Sequence, residues 1–460
     1  MPTIENSNID EYVNQVCSLI KNKKVHESVK DELTSHIDEI AEEYIHYGLT
    51  ENQAIERALH RMGSPSIVGN DLNKVHKATS DWVLLGIASL FILVGIFTLG
   101  VIQSNNVISQ RNYTNFLAKT VAYAVCGVIL GIGLMKIDYR ELKKYSKCLY
   151  GATIILLAYT LFSSNAVNGL IGWMRVGNIA FNTFTIAPFF LIISLAGIFD
   201  KWDWRSIKNT LVGFVLAFTP CIFLILGNSS VNLIIYLVGV TTLIILSGVK
   251  LTQIITSFGV MGTIFLSYIF SEPYRRFRIS AFANPSLDPN GAGWIYNQLE
   301  EVRNSAVFIG RGTNFTSNML PEIHTDFILS YIVYSFGWIA GIILIALVLA
   351  FVIRIVFIGR KTKESYGKLL VSGIGSLFVV QFLFNILVNM TLLPTFAVNM
   401  PFISYGGSQL VINILAISIV SNVYKYRNTS YLEFRNPQNM LRKRIKALLL
   451  HLVEGLYKTE

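Results

Sequence analysis

The chain has 460 residues, 52% hydrophobic and 14% charged, with a mean hydropathy of +0.51, which is too apolar for a soluble globular protein and excludes the water-soluble enzyme classes. Its net charge of +10 is unevenly divided: residues 1–80 carry 8 Lys/Arg against 13 Asp/Glu, so the positive excess lies in the apolar remainder. There, basic cytoplasmic loops account for it and nucleic-acid binding does not.

The first 80 residues read as a small helical domain, with helices near Ile9–Lys21, His26–Tyr47 and Glu51–Met62 and a last short one starting at Ser64-Pro65. Gly48 and Gly63 stand where C-terminal caps are expected, and Thr50 with Gln53 forms a capping-box pattern. His26, His36, His46 and His60 have no recognised metal-ligand spacing and read as structural. The four cysteines (Cys17, Cys126, Cys148, Cys221) suggest neither a disulfide framework nor a zinc site. The opening residues lack a basic region followed by an apolar run, so no cleavable signal is expected.

From Trp82 onward ten apolar runs follow: 82–103, 116–136, 148–164, 181–199, 210–226, 230–248, 251–270, 327–353, 369–392 and 402–424. About 20 apolar residues cross a bilayer as a helix, so ten spans are expected. With the acidic domain inside, the basic connectors 137–147, 200–209, Lys250 and 354–368 also fall inside, while the short outer ones carry only Arg111 and Arg175. The positive-inside rule then puts both termini in the cytoplasm. Leu441–Tyr457 has an apolar face flanked by Arg442, Lys443, Arg444 and Lys446, as expected of a helix lying on anionic membrane lipids. No Asp or Glu lies inside the spans as drawn and Lys119 is the one clear cation there, which argues against proton-driven transport.

The connector 271–325 is long enough to be functional in a compact bundle. The acids available on the outer face are Glu272, Asp288, Glu300, Glu301, Glu322 and Asp326. Asp326 sits just before an apolar run, at the membrane boundary. A carboxylate there suits a general base or a metal ligand, and equally a helix cap. Arg275, Arg276 and Arg278 read either as a clamp for an anionic headgroup or as an ordinary solvated loop. GRG at 310–312 is not a phosphate-binding loop, since no Lys-Ser/Thr follows it.

Specific strings carry a resemblance. MPFISYGGSQLVINILA (400–416) closely resembles the LPFxSYGGSS signature of the SEDS membrane proteins, the family of FtsW, RodA and SpoVE, and Pro401 with Gly406-Gly407 is expected to turn Ser404, Tyr405 and Ser408 toward a cavity. LPEIHTDFI (320–328) resembles the family's LPExHTDFIF, whose catalytic aspartate falls on Asp326. YRRFRISAFANPSLDPNGAGWIYNQ (274–298) is similar to the approach to that motif and carries over Arg276, Arg278 and Gln298, while KIDYRELKKYS (136–146) looks like the loop after the second span. The first 80 residues look like the permease prefix domain of some Gram-positive membrane proteins.

The resemblance implies an all-α polytopic membrane protein: a cytoplasmic prefix domain at 1–80, a ten-span domain at 81–425 with the extracytoplasmic loop 271–325, and a basic cytoplasmic tail at 426–460. It implies an inverting glycosyltransferase that polymerises lipid II on the outer face of the cytoplasmic membrane during division, elongation or sporulation, beside a class B penicillin-binding protein. Asp326 is then the catalytic residue, with a divalent cation (magnesium or manganese) as a further expectation. Arg275, Arg276, Arg278, Gln298, Glu322, His324, Thr325, Ser404, Tyr405, Gly406, Gly407 and Ser408 form the expected substrate site, with Glu322, His324 and Thr325 setting the base's position and pKa.

Several family features are missing. In NGLIGWMRVGNIAFNTFTIAPFF (168–190), Trp173 and Gly177 remain, but Gly172 replaces an Arg, with Arg175 two residues beyond the Trp, and Thr185 and Pro188 replace a Glu/Lys pair; losing both together leaves no orphan charge. LGNSSVNLII (226–235) has no PDxGT, and Tyr334 and Ser335 stand near the place of an EE pair. A non-catalytic scaffold therefore stays open beside the polymerase. A lipid II flippase is a third reading, which the apolar spans oppose.

Overall fold

A computed structural model describes residues 7–23, 26–75, 79–105, 115–163, 172–176, 179–270, 273–312, 314–316 and 319–427. Glu272, Gly177 and the expected amphipathic helix at 441–457 lie outside the described residues. Two compact units are present, one within Met1–Thr79 and the other Ser80–Tyr424.

The first unit contains α1 (Ser7–Leu19), α2 (His26–His46), α3 (Glu51–Met62) and α4 (Pro65–Val75). Apolar residues four apart, Ile37 with Ala41 and Ala54 with Ala58, put their side chains on one helical face, and all four are fully buried with Val16. Gly48 and Gly63 end α2 and α3 at φ of 88° and 86°, left-handed values that glycine adopts without strain. The Thr50 amide donates to Gln53 Oε1 at 3.4 Å. His26 meets the Ile20 carbonyl at 2.8 Å, and His36 is an exposed neighbour of Glu39.

The second unit runs α5 (Trp82–Ser104), α6 (Phe116–Lys136), a short α7 (Arg140–Lys144), α8 (Ser146–Ser163), β1 (Trp173–Val176), β2 (Ile179–Asn182), α9 (Thr183–Phe199), α10 (Ile207–Leu226), α11 (Ser230–Leu246) and α12 (Leu251–Phe270). It continues with α13 (Pro273–Ala283), α14 (Trp294–Ser305), α15 (Ile328–Phe336), α16 (Trp338–Lys361), α17 (Ser365–Asn389) and α18 (Gly407–Lys425). Seven helices among the described residues are long and apolar enough to cross a membrane; with the apolar helices α9 and α11, of 17 residues each, and α12, of 20, a helix falls on each of the ten expected apolar runs. The two strands form an antiparallel hairpin, with Trp173 opposite Asn182 and Val176 opposite Ile179, in a segment from which no strand was expected. Gly177-Asn178 between two short strand-forming runs is the signal that was available.

α9, α11 and α17 pack on one another, and α17 and α18 are the most buried of the long helices. At the heart of this unit, Phe91, Phe351, Phe378, Phe382 and Phe402 gather with ring centroids 5.4–6.2 Å apart. Phe402 belongs to the loop before α18, so its burial anchors that loop in the core.

Two expectations are corrected. The eighth span is not continuous but breaks at Gly337, whose φ is 92°; a Cβ there would lie 2.2 Å from the Phe308 carbonyl oxygen. The break frees backbone groups that the GRG segment takes up: Arg311 and Gly312 amides donate to the Tyr334 and Ser335 carbonyls at 3.1 and 3.0 Å, and the Trp338 amide donates to Val307 at 3.1 Å. Second, α16 continues to Lys361, so Arg354 is helical rather than in a connector, and it forks onto Asp81 at 2.8–3.1 Å. Lys119 lies in the first turn of α6, exposed, within the span expected at 116–136.

Candidate active site

The LPEIHTDF segment (320–327) alternates in character. Leu320, Ile323 and Phe327 are buried, which leaves Glu322, Thr325 and Asp326 on the other side of a tight turn. Glu322 adopts φ of 48°, and its carbonyl accepts from the Thr325 and Phe327 amides at 3.1 and 3.2 Å. The Thr325 hydroxyl bonds Glu322 Oε2 at 2.8 Å.

Distant segments hold this turn through three successive carbonyls. The His324 carbonyl accepts from the Tyr405 amide at 2.7 Å. The Thr325 carbonyl accepts from the Ser404 hydroxyl at 2.5 Å. The Asp326 carbonyl accepts from Asn385 and Asn389 side-chain amides at 2.9 and 3.0 Å. With three successive carbonyls held, the backbone that carries the Asp326 carboxyl has a defined position.

The electrostatics follow from this placement. Burial raises the Asp326 pKa to about 7, the negative charge of Glu322 adds to the rise, and Arg278 opposes it. His324 packs its ring 4.8 Å from Phe116 and 5.9 Å from Tyr405; burial lowers its pKa against the opposing pull of Glu322, whose Oε2 is 3.9 Å from Nε2. Burial thus favours the neutral imidazole, and among the described residues its buried Nδ1 has no hydrogen-bond partner.

The structure brings Arg278, Glu322, His324, Thr325, Asp326, Ser404 and Tyr405 to one locality. Arg275 and Arg278 are three apart on α13 and share a face; Arg275 donates to Asn228 Oδ1 at 2.5 Å, and Arg276 is exposed. Asn228 lies in the segment that lacks PDxGT, so a neutral amide serves there as an arginine's acceptor. Gln298 reaches Glu301 on its own helix at 3.4 Å, and among the described residues no contact links it to Asp326. Ser404 is buried and also accepts from the Met400 amide at 2.8 Å, so its hydroxyl ties loops together.

Gly406 and Gly407 are sites of close approach. A Cβ on Gly406 would touch Asn399 Nδ2 at 3.0 Å, and one on Gly407 would lie 2.2 Å from the Tyr123 ring. Ser408 is partly buried at the start of α18. Among the described residues no three His, Cys, Asp or Glu side chains gather to hold a metal.

Asn385 and Asn389 were not among the expected residues. The signal was present: carboxamides four residues apart in an otherwise apolar span are costly unless bonded. They belong to a larger set of buried amides, in which Gln409 donates to Gln381 and accepts from Asn399, both at 3.0 Å.

A family described as "Cell cycle protein", FtsW/RodA/SpoVE, matches residues 79–429. The chain is 29% identical over 351 residues to a probable peptidoglycan glycosyltransferase FtsW of Trichlorobacter lovleyi, covering 73% of this chain and 91% of that one. It is 28% identical over 327 residues to its counterpart in Aliivibrio salmonicida, covering 67% and 80%. Among solved structures, a chain from a study of how a peptidoglycan synthase complex coordinates polymerization and crosslinking aligns with a TM-score of 0.64 at 20% identity, covering 76% of this chain and 98% of that one. The rod shape determining protein RodA of Thermus thermophilus aligns with a TM-score of 0.58 at 19% identity and the same coverage.

Proposed function

The chain belongs to the FtsW/RodA/SpoVE family, and from that premise we propose that this multi-pass membrane protein is a peptidoglycan glycosyltransferase that polymerises lipid II. The observation that carries the reading is Asp326, a carboxyl whose pKa burial brings to about 7, the value at which a base is both ionised at neutral pH and strong enough to take a proton.

The acceptor's 4-hydroxyl oxygen attacks the anomeric carbon of the donor sugar. As that bond forms, its proton passes to the Asp326 carboxylate, and the bond from the anomeric carbon to the undecaprenyl pyrophosphate breaks on the opposite face, which inverts the configuration. Negative charge grows on the leaving pyrophosphate, and Arg278 is the cation nearest the base to receive it, with Arg275 and Arg276 on the same helix. Burial against the Phe116 and Tyr405 rings disfavours a charge on His324.

Asp326 and Glu322 offer carboxylates to magnesium or manganese, and the pyrophosphate and water would complete the shell, as is usual for an ion that keeps few protein ligands. Bound there, the ion supplies charge neutralisation for the leaving group. Basic connectors support cytoplasmic termini and an outward-facing site, and a class B penicillin-binding protein is the partner that would crosslink the strands.

The test is polymerisation of labelled lipid II by the purified chain with its class B partner, with and without magnesium or manganese. Glycan strands from the wild type that vanish in Asp326→Ala support the enzyme. Absence of polymer from both, with folding and lipid II binding intact and an active polymerase working alongside, moves the assignment to a scaffold. Translocation of lipid II in vesicles independent of Asp326 moves it to a flippase.

A further inference from the structure

In an uninterrupted helix the amide of Ser330 would bond the carbonyl of Asp326, four residues back. Here it donates to Asn389 Oδ1 at 3.0 Å, while Asn389 Nδ2 donates to the Asp326 carbonyl at 3.0 Å. α15 begins at Ile328 with Phe327 as its N-cap, so the Ser330 amide is one of the donors that its first turn leaves without an intrahelical acceptor, and the carboxamide of Asn389 bridges it to the Asp326 carbonyl, presenting an acceptor to one partner and a donor to the other as a peptide group would. The Ser330 hydroxyl also bonds Oδ1, at 2.7 Å, and the first rung of the helix, from the Tyr331 amide to Phe327, is formed at 3.1 Å.

Asn389 is 1% exposed, and its amide also contacts the Asn385 carbonyl at 2.8 Å, so it is braced against its own helix. Asn385 bonds the same Asp326 carbonyl and the Val398 carbonyl, the latter at 2.6 Å, and its Oδ1 accepts from Asn389 Nδ2 at 3.3 Å, but it is not bonded to Ser330. The two asparagines therefore differ in kind, since one holds the carbonyl while the other also joins it to the start of α15.

We infer that Asn389 is a positioning residue for catalysis, a bridge that sets the direction of Asp326 by tying its carbonyl to the Ser330 amide at the start of α15. The inference rests on the reading of Asp326 as the base. With the bridge removed, the Asp326 carbonyl and the Ser330 amide lose their common partner and the carboxyl turns with the chain. A misplacement of about 1 Å lowers turnover on the order of 100-fold, while lipid II binding through groups on α13 is retained.

The experiment measures kcat and KM for lipid II polymerisation by the full chain with its class B partner in wild type, Asn389→Ala, Asn389→Asp, Asn385→Ala and Asp326→Asn, with melting temperature recorded for each. The expected result is a kcat loss in Asn389→Ala with KM within about twofold, and a smaller kcat loss in Asn385→Ala at a comparable fall in melting temperature. Asn389→Asp keeps the acceptor for Ser330, loses the donor to Asp326 and preserves the side chain's size, so it decides the matter if the alanine variant does not fold; it too is expected to lose kcat. An inactive Asp326→Asn together with wild-type kcat in the Asn389 variants overturns the bridge's role alone. A fully active Asp326→Asn overturns the assignment of the base, and the bridge's role with it.

Discussion

The Tyr405 amide donates to the His324 carbonyl at 2.7 Å, and the two rings lie 5.9 Å apart, so the SYGGS and HTDF motifs meet main chain to main chain. Phe116 completes the contact, 4.8 Å from the imidazole and 4.9 Å from the Tyr405 ring. Two loops that precede different helices thus act as one piece. The SYGGS residues contribute to the site mainly by holding the Asp326 turn.

Ser404→Ala tests that coupling. Its hydroxyl donates to Thr325 and accepts from the Met400 amide, and its removal strands a buried carbonyl and a buried amide at a cost of about 1–3 kcal/mol. The variant should melt at a lower temperature and polymerise more slowly. A melting temperature and rate equal to wild type would show that the two loops stay joined without it.

The rate should rise with pH through about 7, where Asp326 ionises. Glu322→Gln removes a charge that raises this pKa and should move the acid limb of kcat/KM to lower pH. Arg278→Gln removes the opposing charge and should move the limb upward. A pH profile unchanged in both variants would separate the titrating group from Asp326.

The same shift has a consequence for stability. Between an unfolded value of about 4 and a folded value of about 7, the folded chain binds more protons, so stability falls as pH rises through that window and is level above it. At most on the order of 4 kcal/mol is involved. Asp326→Asn should therefore melt above wild type at pH 8 and level with it near pH 4, as followed by thermal unfolding at each pH.

Asp81 is buried and forks with Arg354. Arg354→Met leaves that carboxylate without its cation and should cost about 3–5 kcal/mol. Combining it with Asp81→Asn should recover most of the loss. A double variant no more stable than Arg354→Met would mean that the pair is not coupled.

Gly407→Ala drives a methyl into the Tyr123 ring, 2.2 Å from the ideal Cβ. The expected cost is about 1–3 kcal/mol, with loss of activity as the start of α18 shifts. Tyr123→Ala in the same chain should restore part of both. Equal defects with and without Tyr123 would place the strain elsewhere.

The sequence by itself determined the helical spans, because crossing a bilayer requires a local property: a run of apolar residues whose backbone groups bond within the run. It also singled out Asp326, through its place at the end of such a run and its match to HTDF. Packing decided the rest. The break at Gly337 depends on the Phe308 backbone lying against it, and the pKa of Asp326 depends on burial, Glu322 and Arg278. The hold on its carbonyl depends on Asn389, 63 residues away in the chain. Burial and field at one carboxyl are sums over neighbours that only the folded chain assembles, so no window of sequence around Asp326 contains them.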